Sequence, residues 1–256
     1  MQLLTEANPR DPVLDMALTH ALLRRVGAGE LPELARVFVP GPTMAFSRLD
    51  ALRDGFPVAR QAAVAYGWTP LVRLGGGHAA AYDSGAVVLE LITRTVGVGT
   101  AIQERFAAGT ELLVAALADA GVAAEVGELP REYCPGRWSV HLPGGPKVAG
   151  AAQRNIRGAT LFAAAVVVTG GARLRKALLA VYAGLELDWD PATAGAVEDG
   201  VPGARPGDIA AALSAQVGRR HGGLERATIS PETHALAQQL RASHLAGPTS
   251  AGPARP

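Results

Sequence analysis

A chain of 256 residues is one large domain or two small ones, long enough to bury a sizeable core. Its 48% hydrophobic content is ordinary for a globular protein, and 24 Lys and Arg against 23 Asp and Glu leave a net charge of +1, too little to gather nucleic acid or an anionic membrane surface. One cysteine excludes an internal disulfide and fits a reducing compartment. Residues 1–6 lack the basic and apolar segments of a secretory signal, and apolar runs such as 161–168 are far too short to span a bilayer. The expectation is a cytoplasmic protein with neither nucleic acid nor membrane as partner.

In chain order, residues 11–27 predict an amphipathic helix, with Asp11 as cap, Pro12 at the first helical position and Gly27 at the end. Residues 36–39 and 43–47 predict two strands around the turn Pro40-Gly41-Pro42. A second helix is expected over 57–66, then a strand over 71–74 that runs into Gly75-Gly76-Gly77. Strands follow over 79–83 and 86–93, split by Ser84-Gly85. The longest helical pattern covers 99–120 and stops at Gly121; a strand begins over 122–126. Residues 138–142 and 147–150 read as a hairpin about Pro143-Gly144-Gly145-Pro146, and 158–168 as a strongly apolar strand. Helices are expected over 174–183 and 209–221. The Pro/Gly/Ser-rich stretch 245–256 is expected to be a disordered tail after one domain of residues 1–244. Strands in adjacent pairs with helices between the groups favour an α/β protein of the α+β kind: a mixed, mainly antiparallel sheet flanked by helices, with a second small sheet.

Two segments could carry chemistry. Tyr133-Cys134-Pro135-Gly136 holds the single thiol in a Pro-Gly loop, and Lys147 follows shortly after. A thiolate is a strong nucleophile, and a nearby cation raises the thiolate fraction. Taken alone, the same residues fit a small buried apolar side chain and a solvated charge beside a hairpin. The second segment is Arg73-Leu74-Gly75-Gly76-Gly77-His78-Ala79, where glycines allow close approach of the backbone to a ligand and Arg73 supplies a fixed cation. It lacks the Lys-Ser/Thr of a phosphate loop, and no helix follows it as a dinucleotide fingerprint requires. No His, Cys, Asp and Glu set has metal-ligand spacing, so no metal is expected.

Together the segments resemble the biotin/lipoate protein ligase superfamily. Its first motif, Arg-x-Gly-Gly-Gly followed by small residues and Asp-x-Gly, is matched from Arg73 to Gly85; its second, Lys-Val-x-Gly-x-x-Gln-Arg, is matched by Lys147 to Arg154. Phe46-Ser47-Arg48-Leu49-Asp50 resembles the family's Gly-Arg-x-Asp segment, with Ser47 where glycine is common. The likeness spans about residues 12 to 220. A cysteine upstream of the family lysine resembles the octanoyl amidotransferase branch, whose members move an octanoyl group from glycine cleavage H protein to the lipoyl domains of 2-oxoacid dehydrogenases.

The resemblance implies a catalytic domain of the biotin/lipoate ligase fold, with Cys134 and Lys147 catalytic. Arg73, Gly75, Gly76, Gly77, His78, Ala79, Gly150, Ala151 and Ala152 would bind the acyl substrate. It also implies a narrow apolar tunnel beside Lys147, where an eight-carbon chain would gain about 0.8 kcal/mol per CH2. No cofactor is implied beyond the covalent octanoyl or lipoyl thioester; the partners are lipoyl domains and H protein, and a monomer is expected. The alternatives are an ATP-dependent lipoate ligase, an octanoyl transferase fed by acyl carrier protein, and a non-catalytic acyl-carrier-binding protein. One geometric expectation stands apart. On the predicted hairpin Cys134 and Lys147 lie at opposite ends, roughly 13 Å apart at about 3.3 Å per residue, so the loop 130–137 must fold back, and the two groups are expected well separated at rest.

Overall fold

The computed structural model describes residues 1–5, 11–95 and 101–247. The first strand, β1 (Gln2–Thr5), is followed by the helix α1 (Pro12–Gly27). The Asp11 carboxylate caps α1 by accepting from the Val13 N–H at 2.9 Å, and Arg24 and Arg25 lie in its last turn, where the helix dipole favours cations. Next come β2 (Leu34–Phe38), β3 (Thr43–Phe46), α2 (Phe56–Ala65), β4 (Thr69–Val72), β5 (Ala80–Tyr82) and β6 (Ala86–Arg94). The helix α3 (Ile102–Asp119) leads to the short strands β7 (Glu125–Val126) and β8 (Val140–His141) and then to β9 (Lys147–Ile156) and β10 (Ala159–Val167). The chain ends in α4 (Gly171–Gly184), α5 (Pro206–Arg220), β11 (Glu225–Ala227) and α6 (Pro231–Leu240).

Among the described residues, the strands form a large sheet in the order β11-β1-β2-β6-β10-β9-β8-β7 and a small one in the order β4-β3-β5. The large sheet is antiparallel from β2 to β7 and parallel only at the β11-β1-β2 edge. The expected mixed, mainly antiparallel sheet with a second small one is therefore the architecture found. The strands β2 and β3 flank the expected turn but do not pair with each other. The Pro40-Gly41-Pro42 turn carries the chain from one sheet to the other, because proline cannot donate to a ladder. The strand β9 continues six residues beyond the expected end at Gly150, paired with β10 throughout. The hairpin closes at Gly158, whose φ of +83° suits glycine and where a Cβ would lie 2.3 Å from the Gly27 carbonyl oxygen.

Three elements escaped the reading of the sequence: β1, β11 and α6. The helix α6 carries legible signals, Ser230 accepting from the Thr233 N–H and Pro231 at the first position. The expected helix start at Gly99 lies outside the described residues, as does 248–256 of the expected tail. Of that tail, Leu245 bridges to Leu71 and Ala246 is buried.

The period of two along the central strands splits their side chains between two faces. Val87, Leu89, Phe162, Ala164 and Val166 pack with Leu112, Leu113 and Ala116 of α3 and Leu213 and Val217 of α5 in the largest core cluster. On the opposite face the register aligns small residues: Gly150 is opposite Ala165, which is opposite Val88, and Ala152 is opposite Ala163, which is opposite Glu90. This second face is roofed by α1 and the small sheet, and small residues leave a space beneath the roof.

Candidate active site

That space is a cavity of about 500 Å³, within the range of small-molecule sites. Its floor includes Gly150, Ala152, Ala163 and Ala165; its walls include Met16, Tyr82, Val88 and Leu161. Asp15, Thr19 and Glu90 add polar groups. Arg73, Gly75, Gly76, Gly77, Cys134, Lys147 and Ala151 line it as well, so most of the candidate residues meet at one cavity. His78 and Ala79 do not line it. Ala79 is fully buried under the loop and its carbonyl accepts from the Tyr182 hydroxyl at 2.9 Å.

The glycine loop lies directly on β9. A Cβ on Gly75 would come 2.6 Å from the Ala152 Cβ. At Gly77, where φ is +91°, a Cβ would stand 2.8 Å from the Cys134 Sγ and 2.9 Å from the Arg73 Nη2. Glycine is therefore required at Gly77 twice over, by its backbone and by the sulfur beside it.

Cys134 is partly buried and itself adopts a left-handed backbone, with φ of +44°, uncommon outside glycine. Its conformation is held from two sides. Its N–H donates to the Tyr182 hydroxyl at 2.7 Å, and Tyr182 in turn donates to Ala79, so one phenol ties the cysteine loop to the glycine loop. The Sγ accepts from the His78 N–H at 3.3 Å and lies 3.6 Å from the Arg73 Nη2. Burial pushes the thiol's pKa up, but the Arg73 and Lys147 charges and these two hydrogen bonds pull it down, and the pull prevails. The result is a thiol shifted toward thiolate in the lining of the cavity.

Lys147 is 2% exposed. Its Nζ donates to the Cys134 carbonyl at 2.8 Å, the Tyr133 carbonyl at 3.0 Å and the Glu132 Oε1 at 3.3 Å. The loop 130–137 has thus already folded back, against the expected separation at rest. The hairpin estimate measured along the strands and missed what pulls across them: a buried ammonium collects three acceptors from consecutive residues of the loop. The Glu132 Oε1 also accepts from the Ser139 hydroxyl at 2.5 Å and the Gly136 N–H at 3.0 Å, while its buried Oε2 has no partner among the described residues. The ammonium's three hydrogens are all in use. To reach an acyl oxygen, Lys147 must exchange one of them. The Arg73 Nη2 beside the sulfur also donates to the His78 carbonyl at 2.8 Å, while the buried Arg73 Nε has no partner among the described residues.

Over residues 11–184 the chain matches the lipoyl protein ligase A/B catalytic domain. It belongs to that family. An octanoyl-[GcvH]:protein N-octanoyltransferase of Geobacillus kaustophilus is 31% identical over 173 residues, 66% of this chain and 59% of that protein. A lipoyl-[GcvH]:protein N-lipoyltransferase of Listeria monocytogenes is 28% identical over 157 residues, 59% of this chain and 55% of the other. The chain thus spans little more than half the length of these relatives. A lipoate-protein ligase A solved with ATP shares the fold with a TM-score of 0.74 at 21% identity, over 94% of each chain. A bi-partite lipoate protein ligase of Thermoplasma acidophilum does so with a TM-score of 0.70 at 20% identity, over 94% of this chain and 91% of the other.

Within this catalytic domain, Glu132, Tyr182 and Asp50 are the residues that reading the sequence missed. Asp50 stands in a quoted motif but had no role assigned. Glu132 lies two residues before the cysteine, where an acidic residue in a loop signals nothing until its burial is seen. Tyr182 sits in the middle of α4, and its partners are 48 and 103 residues away.

Proposed function

We propose that the protein is a protein N-octanoyltransferase of the amidotransferase type. It would carry an octanoyl or lipoyl group as a thioester on Cys134, from a lysine amide of glycine cleavage H protein to the lysine of lipoyl domains of 2-oxoacid dehydrogenases. One observation carries the reading: the Cys134 sulfur, shifted toward thiolate by Arg73 and the His78 N–H, belongs to a residue that lines a cavity floored by glycine and alanine. The relatives named for octanoyl and lipoyl transfer support the substrate class.

The chemistry runs in two halves. The thiolate attacks the carbonyl carbon of the donor amide, with the acyl chain in the cavity. Negative charge grows on the carbonyl oxygen, where donors already in place lower the barrier. The Arg73 guanidinium, with Nη2 3.6 Å from the sulfur, brings positive charge to that point. Lys147 becomes available when the acyl oxygen replaces the Cys134 carbonyl as its acceptor, which couples charge stabilisation to a small shift of the loop. Loss of the donor amine leaves the thioester, and the acceptor amine then attacks it and regenerates the thiolate. Exchange of one lysine amide for another makes and breaks the same kind of bond, so no ATP is needed. The proposal places the protein in the cytoplasm as a monomer, where a lone cysteine stays reduced.

The test is to mix the protein with octanoylated H protein and an unmodified lipoyl domain without nucleotide, and to follow the mass of the lipoyl domain. Gain of one octanoyl group is expected. Product formed only with ATP and free octanoate would make the protein a ligase.

A further inference from the structure

Two amines must change protonation in this reaction, and the groups that hold the thiolate are poorly suited to do it. The three Lys147 hydrogens are held by the loop and, in the reaction proposed above, by the acyl oxygen that replaces the Cys134 carbonyl. Arginine does not give up a proton in proteins. Burial pushes the phenols of Tyr133 and Tyr182 further up from their already high pKa values. Glu132 is sealed beneath the loop and does not line the cavity.

Building on the transferase reading, we propose that the His78 imidazole, oriented by Asp50, is the general acid and base that serves the departing and the attacking amine. Its Nδ1 lies 3.0 Å from the Asp50 Oδ1. A carboxylate only accepts, so Nδ1 carries a hydrogen and Nε2 is left for exchange. Asp50 is fully buried and held from both ends: its Oδ2 accepts from the Ser47 N–H at 2.9 Å and its own N–H donates to the Ser47 hydroxyl at 3.0 Å. The imidazole itself is about one third exposed, at 32%. A rigid buried carboxylate that orients a partly exposed imidazole is the arrangement by which a histidine is kept ready for proton transfer.

Position supports the same role. The backbone N–H of His78 touches the Cys134 sulfur, which fixes the residue at the reacting atom. Yet His78 is absent from the walls of the cavity, which Gly75, Gly76, Gly77, Cys134 and Lys147 share. When the acyl chain fills the cavity and its carbonyl carbon meets the sulfur, the nitrogen of the amide lies on the side away from the chain, and the proposal has the partly exposed His78 ring reach it there.

The proton balance closes. In the first half the C–S bond forms, the C–N bond breaks, and the departing nitrogen takes the Nε2 proton of an imidazolium, leaving a neutral amine and a neutral His78. The donor amine then takes a proton from solvent, and the acceptor ammonium releases one to solvent. In the second half the neutral acceptor amine forms the new C–N bond, its surplus proton passes to the His78 Nε2, and the C–S bond breaks with the electron pair returning to sulfur.

A leaving group that needs no proton separates this role from a structural one. The His78→Ala and Asp50→Asn variants are loaded with octanoyl p-nitrophenyl ester, whose leaving phenolate departs unprotonated, and with octanoylated H protein, whose amine does not. The N–H on the sulfur belongs to the backbone and survives in His78→Ala. Loading from the ester should stay within about threefold of wild type, while loading from the amide falls by about 10²-fold or more and recovers in part with added imidazole. Asp50→Asn should show the same selectivity more weakly. Equal losses on both donors, or no loss on the amide, would overturn the proposal. Wild-type protein that loads from the ester but never from octanoyl-lysine would instead overturn the amidotransferase reading beneath it.

Discussion

Lys147 and Arg36 are both buried cations on strands of the large sheet, yet one is held by a loop and the other by two carboxylates. Arg36 is fully buried on β2. Its Nη2 donates to Asp15 of α1 at 2.8 Å and its Nη1 lies 3.4 Å from Glu90 of β6, while Thr19 donates to Glu90 at 2.6 Å. The guanidinium also stacks over Phe38, 3.9 Å from the ring centroid. This cluster fastens the roof helix to the sheet through side chains in rigid elements. Lys147 has one carboxylate and two main-chain carbonyls, all from the loop that carries Cys134. The first arrangement resists change. The second, as proposed, would release one carbonyl and donate to a substrate oxygen in its place.

The largest effect expected on this contrast comes from the residue that Lys147 serves. Cys134→Ala should reduce transfer to background while the melting temperature barely moves, since the loop keeps every hydrogen bond made by its backbone; a collapse of the fold would show the thiol to be structural. Next comes Lys147→Met, which should slow transfer by about 10²–10³-fold and lower stability by about 3–5 kcal/mol, because Glu132 is left buried and unpaired. Adding Glu132→Gln should restore much of the stability, measured by urea unfolding, and none of the activity.

Arg36→Met should cost a similar 3–5 kcal/mol of stability yet leave the alkylation rate of Cys134 in the folded protein unchanged. A changed thiol reactivity there would show that the two cations are not separate in function. The smallest effect is one of pH. The Cys134 pKa is lowered on folding, so the thiolate is present at pH values where the unfolded chain carries the thiol. That contribution to stability is in place above the unfolded pKa and fades as pH falls through the folded one. The pH profile of iodoacetamide alkylation should therefore lie below that of the denatured chain, and Arg73→Gln should move it upward, since the guanidinium is the strongest influence lowering it.

Much of this site is legible in one dimension. Gly75 to Gly77, Lys147, Gly150 and Ala152 announce themselves because each carries a local demand: a close approach, a charge on a strand, a lack of bulk. What stays hidden is held across the chain. The closeness of Cys134 to Lys147 depends on three acceptors converging on one ammonium. The tie between the two loops depends on a tyrosine in α4, and His78 gains a role only when Asp50 is found beneath it. In the fold, hairpin grammar reads the antiparallel centre well. It does not show that β2 and β3 fall in different sheets, and it misses the parallel edge of β1 and β11, which pairs residues 2–4 with 225–227.

The central claim, that Cys134 carries the acyl group, is tested most directly by the intact mass of the protein after exposure to octanoylated H protein without acceptor. The account predicts the addition of one octanoyl group, its removal by hydroxylamine or by an added lipoyl domain, and its absence in Cys134→Ala. An unmodified wild-type protein that still converts lipoyl domains, or a Cys134→Ala variant that does so, would contradict it.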